Sequence, residues 1–119
     1  MVLATAARNA AVEAFTDLLD SGDIRFETSG DVEVATCTFA ATAFGAAATG
    51  VVTAAAIGDD TSATGGLVDH CQLRNSGGTS QAECTCGLAA TDFVLTSLTI
   101  GVGDKVSVTS LTVTQPSGA

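Results

Sequence analysis

The chain has 119 residues, which suffices for one domain whose core needs no disulfide or metal. Thirteen acidic residues against four basic ones give a net charge of −9. This charge argues against duplex DNA or anionic lipid as a partner, because both require a basic surface. The absence of Trp and Tyr disfavours aromatic binding sites for sugars or bases.

The sequence shows no sign of a membrane segment. Its longest apolar run is too short to span a bilayer, and its first residues lack the basic and then apolar order of a secretory signal. We therefore expect a soluble protein that is made in the cytosol.

An α-helix is predicted over residues 4–20, because apolar side chains recur there at helical spacing. These side chains are Ala7, Ala11, Ala14, Phe15, Leu18 and Leu19. Thr5 is the predicted N-cap, and Ser21–Gly22 is the predicted stop. The helix should lie on a sheet with its bulky C-terminal end deepest, and Asp17 and Asp20 should face solvent.

After the helix the apolar period changes from 3.6 to 2, and turn residues recur, which predicts three β-hairpins. The hairpins cover residues 23–39, 67–86 and 93–114, with turns at Ser29–Asp31, Asn75–Gly78 and Gly101–Asp104. Pro116 ends the last strand, because proline cannot donate to a ladder.

The stretch from Phe39 to Ile57 is rich in Ala, Gly and Thr. Its two aromatic rings, Phe39 and Phe44, are expected to fill the space that the small side chains leave. We predict that this stretch forms the centre of the core and ends in a strand over 51–57.

One helix followed by seven or eight short strands predicts a mainly β fold. The expected architecture is an antiparallel β-sandwich or partly closed barrel with one N-terminal α-helix. Residues 1–119 should form a single domain, with the helix over 4–20 and the sheet over 23–114. Threonines at alternate strand positions would give the sheet a neutral outer face, turned to solvent or to a neighbouring subunit.

Four cysteines and one histidine are the candidates for a metal site, but their spacing argues against zinc. A single residue separates Cys84 from Cys86, whereas two residues separate the paired cysteines of a zinc knuckle. Cys37 is remote from both in the sequence. His70 and Cys71 are adjacent in a strand and should point to opposite faces. We expect Cys71 opposite Cys84 and the thiols acting as small buried apolar groups, with a Cys71–Cys84 disulfide as the alternative.

The remaining polar residues are better explained by structural roles than by catalysis or ligand binding. His70 has no nucleophile motif beside it, so a surface hydrogen bond is expected of it. Residues 59–62 and Asp104 offer oxygen atoms but no EF-hand pattern, and Gly101–Gly103 lacks the rest of a dinucleotide loop. The sequence therefore predicts a protein that is not an enzyme, with no catalytic, cofactor-binding or metal-ligating residues and no cofactor.

Three stretches together resemble a known family. They read AARNAAVEAFTDLLDSGDIRF at 6–26, AFGAAATGVVTA at 43–54 and LTSLTIGVGDKVSVTSLTVTQPSG at 95–118. In order and spacing they resemble the small structural proteins of tailed bacteriophages that are encoded among head and tail genes. The resemblance implies a virion component that is made in the host cytoplasm, is present in many copies and has no catalytic residues.

Within that class, the expected function is capsid decoration. A decoration or cement protein binds the outside of the phage head and ties neighbouring major capsid subunits together. A tail-tube, neck or head-tail completion protein is the alternative within the virion, and a soluble receptor- or carbohydrate-binding module is the alternative outside it. The expected partners are the major capsid protein or other virion subunits, through homo-oligomer or lattice contacts, without membrane or specific nucleic acid.

Overall fold

The structure, a computed structural model, describes residues 1–118. One helix, α1 (Thr5–Asp17), is followed within those residues by nine short strands. The strands are β1 (Asp23–Glu27), β2 (Glu33–Thr38), β3 (Val51–Thr53), β4 (Gly66–Leu67), β5 (His70–Arg74), β6 (Ser80–Gly87), β7 (Phe93–Val94), β8 (Thr99–Ile100) and β9 (Thr112–Thr114).

Five strands form one curled sheet in the order β2-β1-β5-β6-β7. Neighbouring strands are antiparallel except β6 and β7, which run parallel. Two short antiparallel pairs, β3–β9 and β4–β8, complete the ladders. The predicted class is confirmed: the fold is mainly β with one N-terminal helix, consistent with a sandwich or partly closed barrel. The parallel pair is its one departure from an antiparallel sheet.

The first two predicted hairpins are confirmed. In the β1–β2 hairpin, the Thr28 N–H donates to the Val32 carbonyl at 2.9 Å, and Thr28 Oγ1 accepts hydrogen bonds from the N–H groups of Gly30 and Val32 at 3.3 and 3.2 Å. In the β5–β6 hairpin, Asn75 Oδ1 accepts hydrogen bonds from the N–H groups of Gly77 and Thr79, each at 3.0 Å. Both turns are therefore built by side chains that satisfy nearby backbone groups.

The third predicted hairpin, over residues 93–114, is wrong. Strand β7 pairs with β6, β8 pairs with β4, and β9 pairs with β3. The turn at Gly101–Asp104 does form, since the Asp104 N–H donates to the Gly101 carbonyl at 3.1 Å. Alternating polar and apolar residues indicate extended chain, but they do not determine which strand becomes the partner.

Two other strands are shorter than predicted. The strand expected over 51–57 is regular only over β3. The strand expected over 67–74 is interrupted at Val68–Asp69, because β4 pairs with β8 whereas β5 pairs with β1. Each interruption therefore falls where the chain leaves one partner for another.

Helix α1 is shorter than the predicted 4–20, and its cap differs. Ala4 is the N-cap, without a side-chain hydrogen bond, and Thr5 is the first helical residue, so the predicted Thr5 cap is wrong. Beyond Asp17 the backbone tightens into a turn with hydrogen bonds three residues apart, from Leu18 N–H to Phe15 and from Leu19 N–H to Thr16.

The bulky end of the helix is only partly buried. Leu19 is fully buried, whereas Leu18 is 53% exposed, so the prediction that both lie deep is half wrong. The tightened turn separates the two neighbours, because it changes the rotation per residue from that of an α-helix.

Polar side chains of α1 and of the turn that follows it accept hydrogen bonds from the backbone of residues 43–50. Asn9 Oδ1 accepts from the Gly50 N–H (2.8 Å), Glu13 Oε2 from Ala47 (2.9 Å) and Asp20 Oδ1 from Ala43 (2.8 Å). The prediction that Asp20 faces solvent is therefore wrong, whereas Asp17 is exposed as expected. These bonds supply acceptors for backbone donors that no strand satisfies.

The two ends of the described chain lie together beside the helix. The Leu3 N–H donates to the Ser117 carbonyl at 2.6 Å. The Arg8 guanidinium donates to the carbonyls of Thr49 and Gln115, which ties the last strand to α1.

The core lies on the inner face of the curled sheet, under α1 and the β3–β9 pair. Its ring contacts are Phe26 with Phe93, edge to face at 5.7 Å between centroids, and Phe39 with Phe44 at 5.6 Å. In the stretch 39–57, Phe39, Ala43, Phe44, Gly50 and Val52 are buried and the rest is partly or fully exposed. That stretch covers one side of the core. The prediction that it forms the centre of the core is therefore wrong.

Gly22 connects the helical segment to β1 where two backbones approach closely. A Cβ at this position would lie 1.9 Å from the Arg74 carbonyl oxygen, at the end of β5. Only glycine fits there, so this residue fixes how near the helix can come to the sheet.

Replacing Phe44 with alanine should lower the free energy of unfolding by about 3–5 kcal/mol, because the ring is 7% exposed and packs on Phe39. Urea denaturation measures the change. Leu18→Ala is the control, and because Leu18 is exposed it should cost less than about 0.5 kcal/mol. A loss below about 1 kcal/mol for Phe44→Ala would show that the ring is not part of the core.

Candidate functional site

The candidate functional residues lie at one end of the five-stranded sheet. In the strand register Glu27 lies opposite His70, and His70 lies opposite Thr85. The turn 28–32 joins β1 to β2 at the same end. We call this region the His70 end.

Large apolar side chains are exposed at the His70 end. They are Val32, Leu67, Leu88, Val94 and Val102, each between 59% and 86% exposed. Val32 closes the β1–β2 turn, and Leu88 follows β6. Val94 pairs with Gly87 in the parallel β6–β7 register. Five of the eight large apolar side chains exposed within residues 1–118 thus lie at one end of the sheet.

Val102 reaches this end through the loop before β4. The Gly65 N–H donates to the Val34 carbonyl at 3.1 Å, which places Gly65 against β2. A Cβ on Gly65 would lie 2.9 Å from the Val102 backbone nitrogen. The turn at Gly101–Asp104 is therefore held beside the β1–β2 hairpin.

Carboxylates surround His70 on the outer face of the sheet. His70 Nε2 lies 3.0 Å from Glu27 Oε1 and 3.1 Å from Asp31 Oδ1. Its Nδ1 lies 2.9 Å from Asp69 Oδ2. The Glu27 side chain is only 5% exposed, whereas those of Asp31 and Asp69 are open to solvent.

Strand pairing places the Glu27 carboxylate near His70, and a tight turn places that of Asp31. The β1–β5 pairing sets Glu27 beside His70. Asp31 adopts a left-handed backbone with φ of 63°, which the tight turn after Thr28 requires. The turn thereby folds the Asp31 carboxylate back towards β5.

The ionised form of His70 is favoured by this arrangement. The hydrogen bond to Asp69 raises the pKa of His70 above its usual value, and Glu27 and Asp31 act in the same direction against burial. Arg25 Nε lies 2.9 Å from Glu27 Oε2, without the alignment of a hydrogen bond. The buried Glu27 carboxylate is thus neutralised on both oxygens, as a charge removed from water requires.

Three thiols lie on the opposite, inner face of the same strands. Cys71 lies opposite Cys84 in the β5–β6 register, as predicted, and Cys86 is two residues further along. All three are free, as is Cys37, whose Sγ lies 3.4 Å from the Val106 carbonyl oxygen. His70 and Cys71 therefore do lie on opposite faces of β5.

The thiols affect one another's ionisation. The neighbouring sulfurs of Cys84 and Cys86, together with burial, raise the pKa of Cys71. In turn the Cys71 thiol lowers the pKa of Cys84 and of Cys86, because a thiolate there gains a hydrogen-bond donor. Burial raises the pKa of Cys37.

The acidic residues that the sequence offered as oxygen ligands serve the backbone instead. Asp60 accepts hydrogen bonds from the N–H groups of Thr36 and Ser62, both at 2.8 Å. Asp104 Oδ2 accepts from the Gly101 N–H at 2.8 Å. Turn chemistry, the interpretation favoured from the sequence, describes both residues.

Sequence reasoning missed Glu27 and Asp31 as neighbours of His70. They belong to the first hairpin, and His70 belongs to the second, so their proximity depends on the β1–β5 pairing. The available signal was weak: Glu27 and His70 each stand at the end of a strand on its polar face.

Comparison of the chain with family models, with curated proteins and with solved structures finds no match. In the part of the chain that the structure describes, α1 is the only helix, and it is too short to cross a membrane.

Raising the pH should destabilise the protein through His70. Folding raises the pKa of His70. The contribution of His70 to stability is therefore fully present at a pH below its pKa in the unfolded chain, and it is lost as the pH rises through its pKa in the folded protein. The facing charges are Glu27, Asp31, Asp69 and, behind Glu27, Arg25.

Urea unfolding in metal-free buffer from about pH 6 to about pH 8.5 measures this effect. The wild type should lose more stability over this range than His70→Gln, which shares every other titrating group. Equal losses would show that His70 is not preferentially charged in the fold.

Alkylation should distinguish the four thiols. Cys84 and Cys86 are partly exposed and have a lowered pKa, so iodoacetamide should modify them at least about tenfold faster than buried Cys71 and Cys37. Tandem mass spectrometry of timed samples gives the rates, and urea-unfolded protein is the control. Equal rates in the folded protein would contradict the arrangement of the thiols.

Proposed function

We propose that the protein is a structural component of a phage virion, and specifically a decoration or cement protein that ties neighbouring major capsid subunits together. The observation that carries this proposal is the group of exposed apolar side chains at the His70 end. Exposed apolar side chains that share one end of a small domain favour a contact with another protein at that end.

The apolar side chains suit docking onto more than one subunit. Fully burying one of them contributes about 1.5–3 kcal/mol relative to full exposure, and each is already partly covered. Association itself costs an estimated 4–15 kcal/mol or more. One contact of this kind gives weak binding, so stable attachment needs several contacts on a lattice.

Charged side chains lie among the exposed apolar ones at this end of the sheet. The exposed carboxylates of Asp31 and Asp69 lie beside the apolar side chains, and the chain carries a net charge of −9. The partner surface that fits has apolar side chains together with basic or neutral groups. Such charge complementarity would set the encounter rate and the register more than the residence time.

The grooves of the described chain give little support to a small-molecule site. Four grooves among the described residues have volumes of about 280 to 320 Å³, near the lower limit for ligand pockets. Both ring nitrogens of His70 are engaged by carboxylates, so the imidazole is not poised to activate a nucleophile. The proposal accordingly contains no catalytic step.

Add-back to phage particles that lack this protein tests the proposal. Wild-type protein should bind the heads and raise the temperature at which they release DNA, as measured by a dye that enters open particles. Val102→Asp and Val94→Asp should weaken binding at least about tenfold, because each places a charge in the docking surface. Val2→Asp is the matched control and should bind like the wild type, since Val2 is exposed outside the His70 end.

The outcomes separate the alternatives. Depleted particles that keep full thermal resistance but lack tails or leak DNA at one vertex would replace the cement function with a neck or tail function. Binding to a glycan array, without binding to heads, would favour a carbohydrate-binding module. Equal binding by all three variants would show that the His70 end is not the docking surface.

A further inference from the structure

We propose that Glu27, Asp31 and His70 form a binding site for a divalent transition-metal ion such as Zn²⁺. One atom from each of these side chains lies within 4.8 Å of the other two. This goes beyond the virion proposal and beyond the sequence, which predicted no metal ligand.

The distances from the histidine nitrogen to the two carboxylate oxygens match a coordination sphere, and the two oxygens lie within 4.8 Å of each other. His70 Nε2 lies 3.0 Å from Glu27 Oε1 and 3.1 Å from Asp31 Oδ1. Ligands bound at about 2.0–2.2 Å from one zinc ion lie roughly 3 to 3.5 Å apart. An ion can therefore replace the proton that Nε2 shares with the two carboxylates, with only small movements of the side chains.

The two least exposed ligands, His70 and Glu27, each contact a further charged side chain through the atom that does not face the ion. Asp69 Oδ2, 2.9 Å from His70 Nδ1, accepts the proton on that nitrogen and leaves Nε2 free for the ion. This carboxylate–histidine pairing is the arrangement that supports histidine ligands in metal sites. The charge of Arg25, whose Nε lies 2.9 Å from Glu27 Oε2, attracts that oxygen and leaves Oε1 for the ion.

The burial gradient fits an ion that enters from solvent. The side chains of Glu27 and His70 are 5% and 19% exposed and form the floor of the site, whereas that of Asp31 is 73% exposed and forms its outer wall. Water can fill the remaining positions on the outer side. Since one ligand is an imidazole, zinc and similar ions fit better than Mg²⁺ or Ca²⁺, which prefer oxygen ligands only.

Zinc titration of the isolated, EDTA-stripped protein by isothermal calorimetry tests this proposal. We expect one equivalent of Zn²⁺ to bind and the melting temperature to rise with zinc concentration. His70→Gln should abolish this binding. Asp31→Asn should weaken it at least about tenfold while keeping the fold, because Asn tolerates the left-handed backbone at this exposed position.

Glu83→Gln is the matched control and should bind zinc like the wild type, because Glu83 is an exposed carboxylate on the same sheet but outside the cluster. Cobalt distinguishes this site from the thiols. Co²⁺ at the proposed site should show weak visible bands without the ultraviolet charge-transfer band of a thiolate ligand.

Three results would overturn the proposal. They are the absence of stoichiometric zinc binding, unchanged binding by His70→Gln, and binding that is lost in Cys84→Ser with a thiolate band in the cobalt spectrum. All of these measurements use the isolated protein without phage particles, so their failure leaves the docking proposal untouched.

Discussion

Strand β1 lies between β2 and β5, and its pairing with β5 joins parts of the chain that are far apart in sequence. The pairing connects Asp23 to Arg74 and Glu27 to His70, separations of 51 and 43 residues. At one end of the ladder Arg74 binds Asp23 through two hydrogen bonds of 2.6 and 2.8 Å. The two hairpins are local structures, and only this contact makes one sheet of them. Closing such a loop costs entropy that packing must offset.

The same pairing fixes the core and the candidate site together. Facing inwards, Phe26 lies opposite Cys71, and the Phe26 ring contacts Phe93. Facing outwards, Glu27 lies opposite His70. Because side chains alternate along a strand, a shift of one residue would expose Phe26 and bury charged groups without partners. The register that buries the rings is therefore the register that assembles the carboxylates around the histidine.

Sequence reasoning predicted what depends on neighbouring residues and missed what depends on distant ones. The turns at 28–32 and 75–78 were predictable because Thr28 and Asn75 hydrogen-bond the nearby backbone. The strands after Phe93 were placed with the wrong partners, because their alternating Thr and Val residues suit several pairings equally. For the candidate site, the outward position of His70 followed from strand alternation. Its carboxylate neighbours did not, because they depend on the long-range pairing of β1 with β5.

The hydrogen bond between Leu3 and Ser117 has a consequence for handling the molecule. Since the two ends of the described chain are side by side, a peptide or protein fused to either end would emerge from the same place, next to the start of α1. A short flexible linker could also join the two ends, and the chain could then be opened at an exposed loop instead. A rearranged chain of that kind would keep every strand pairing while moving the attachment point to another part of the surface.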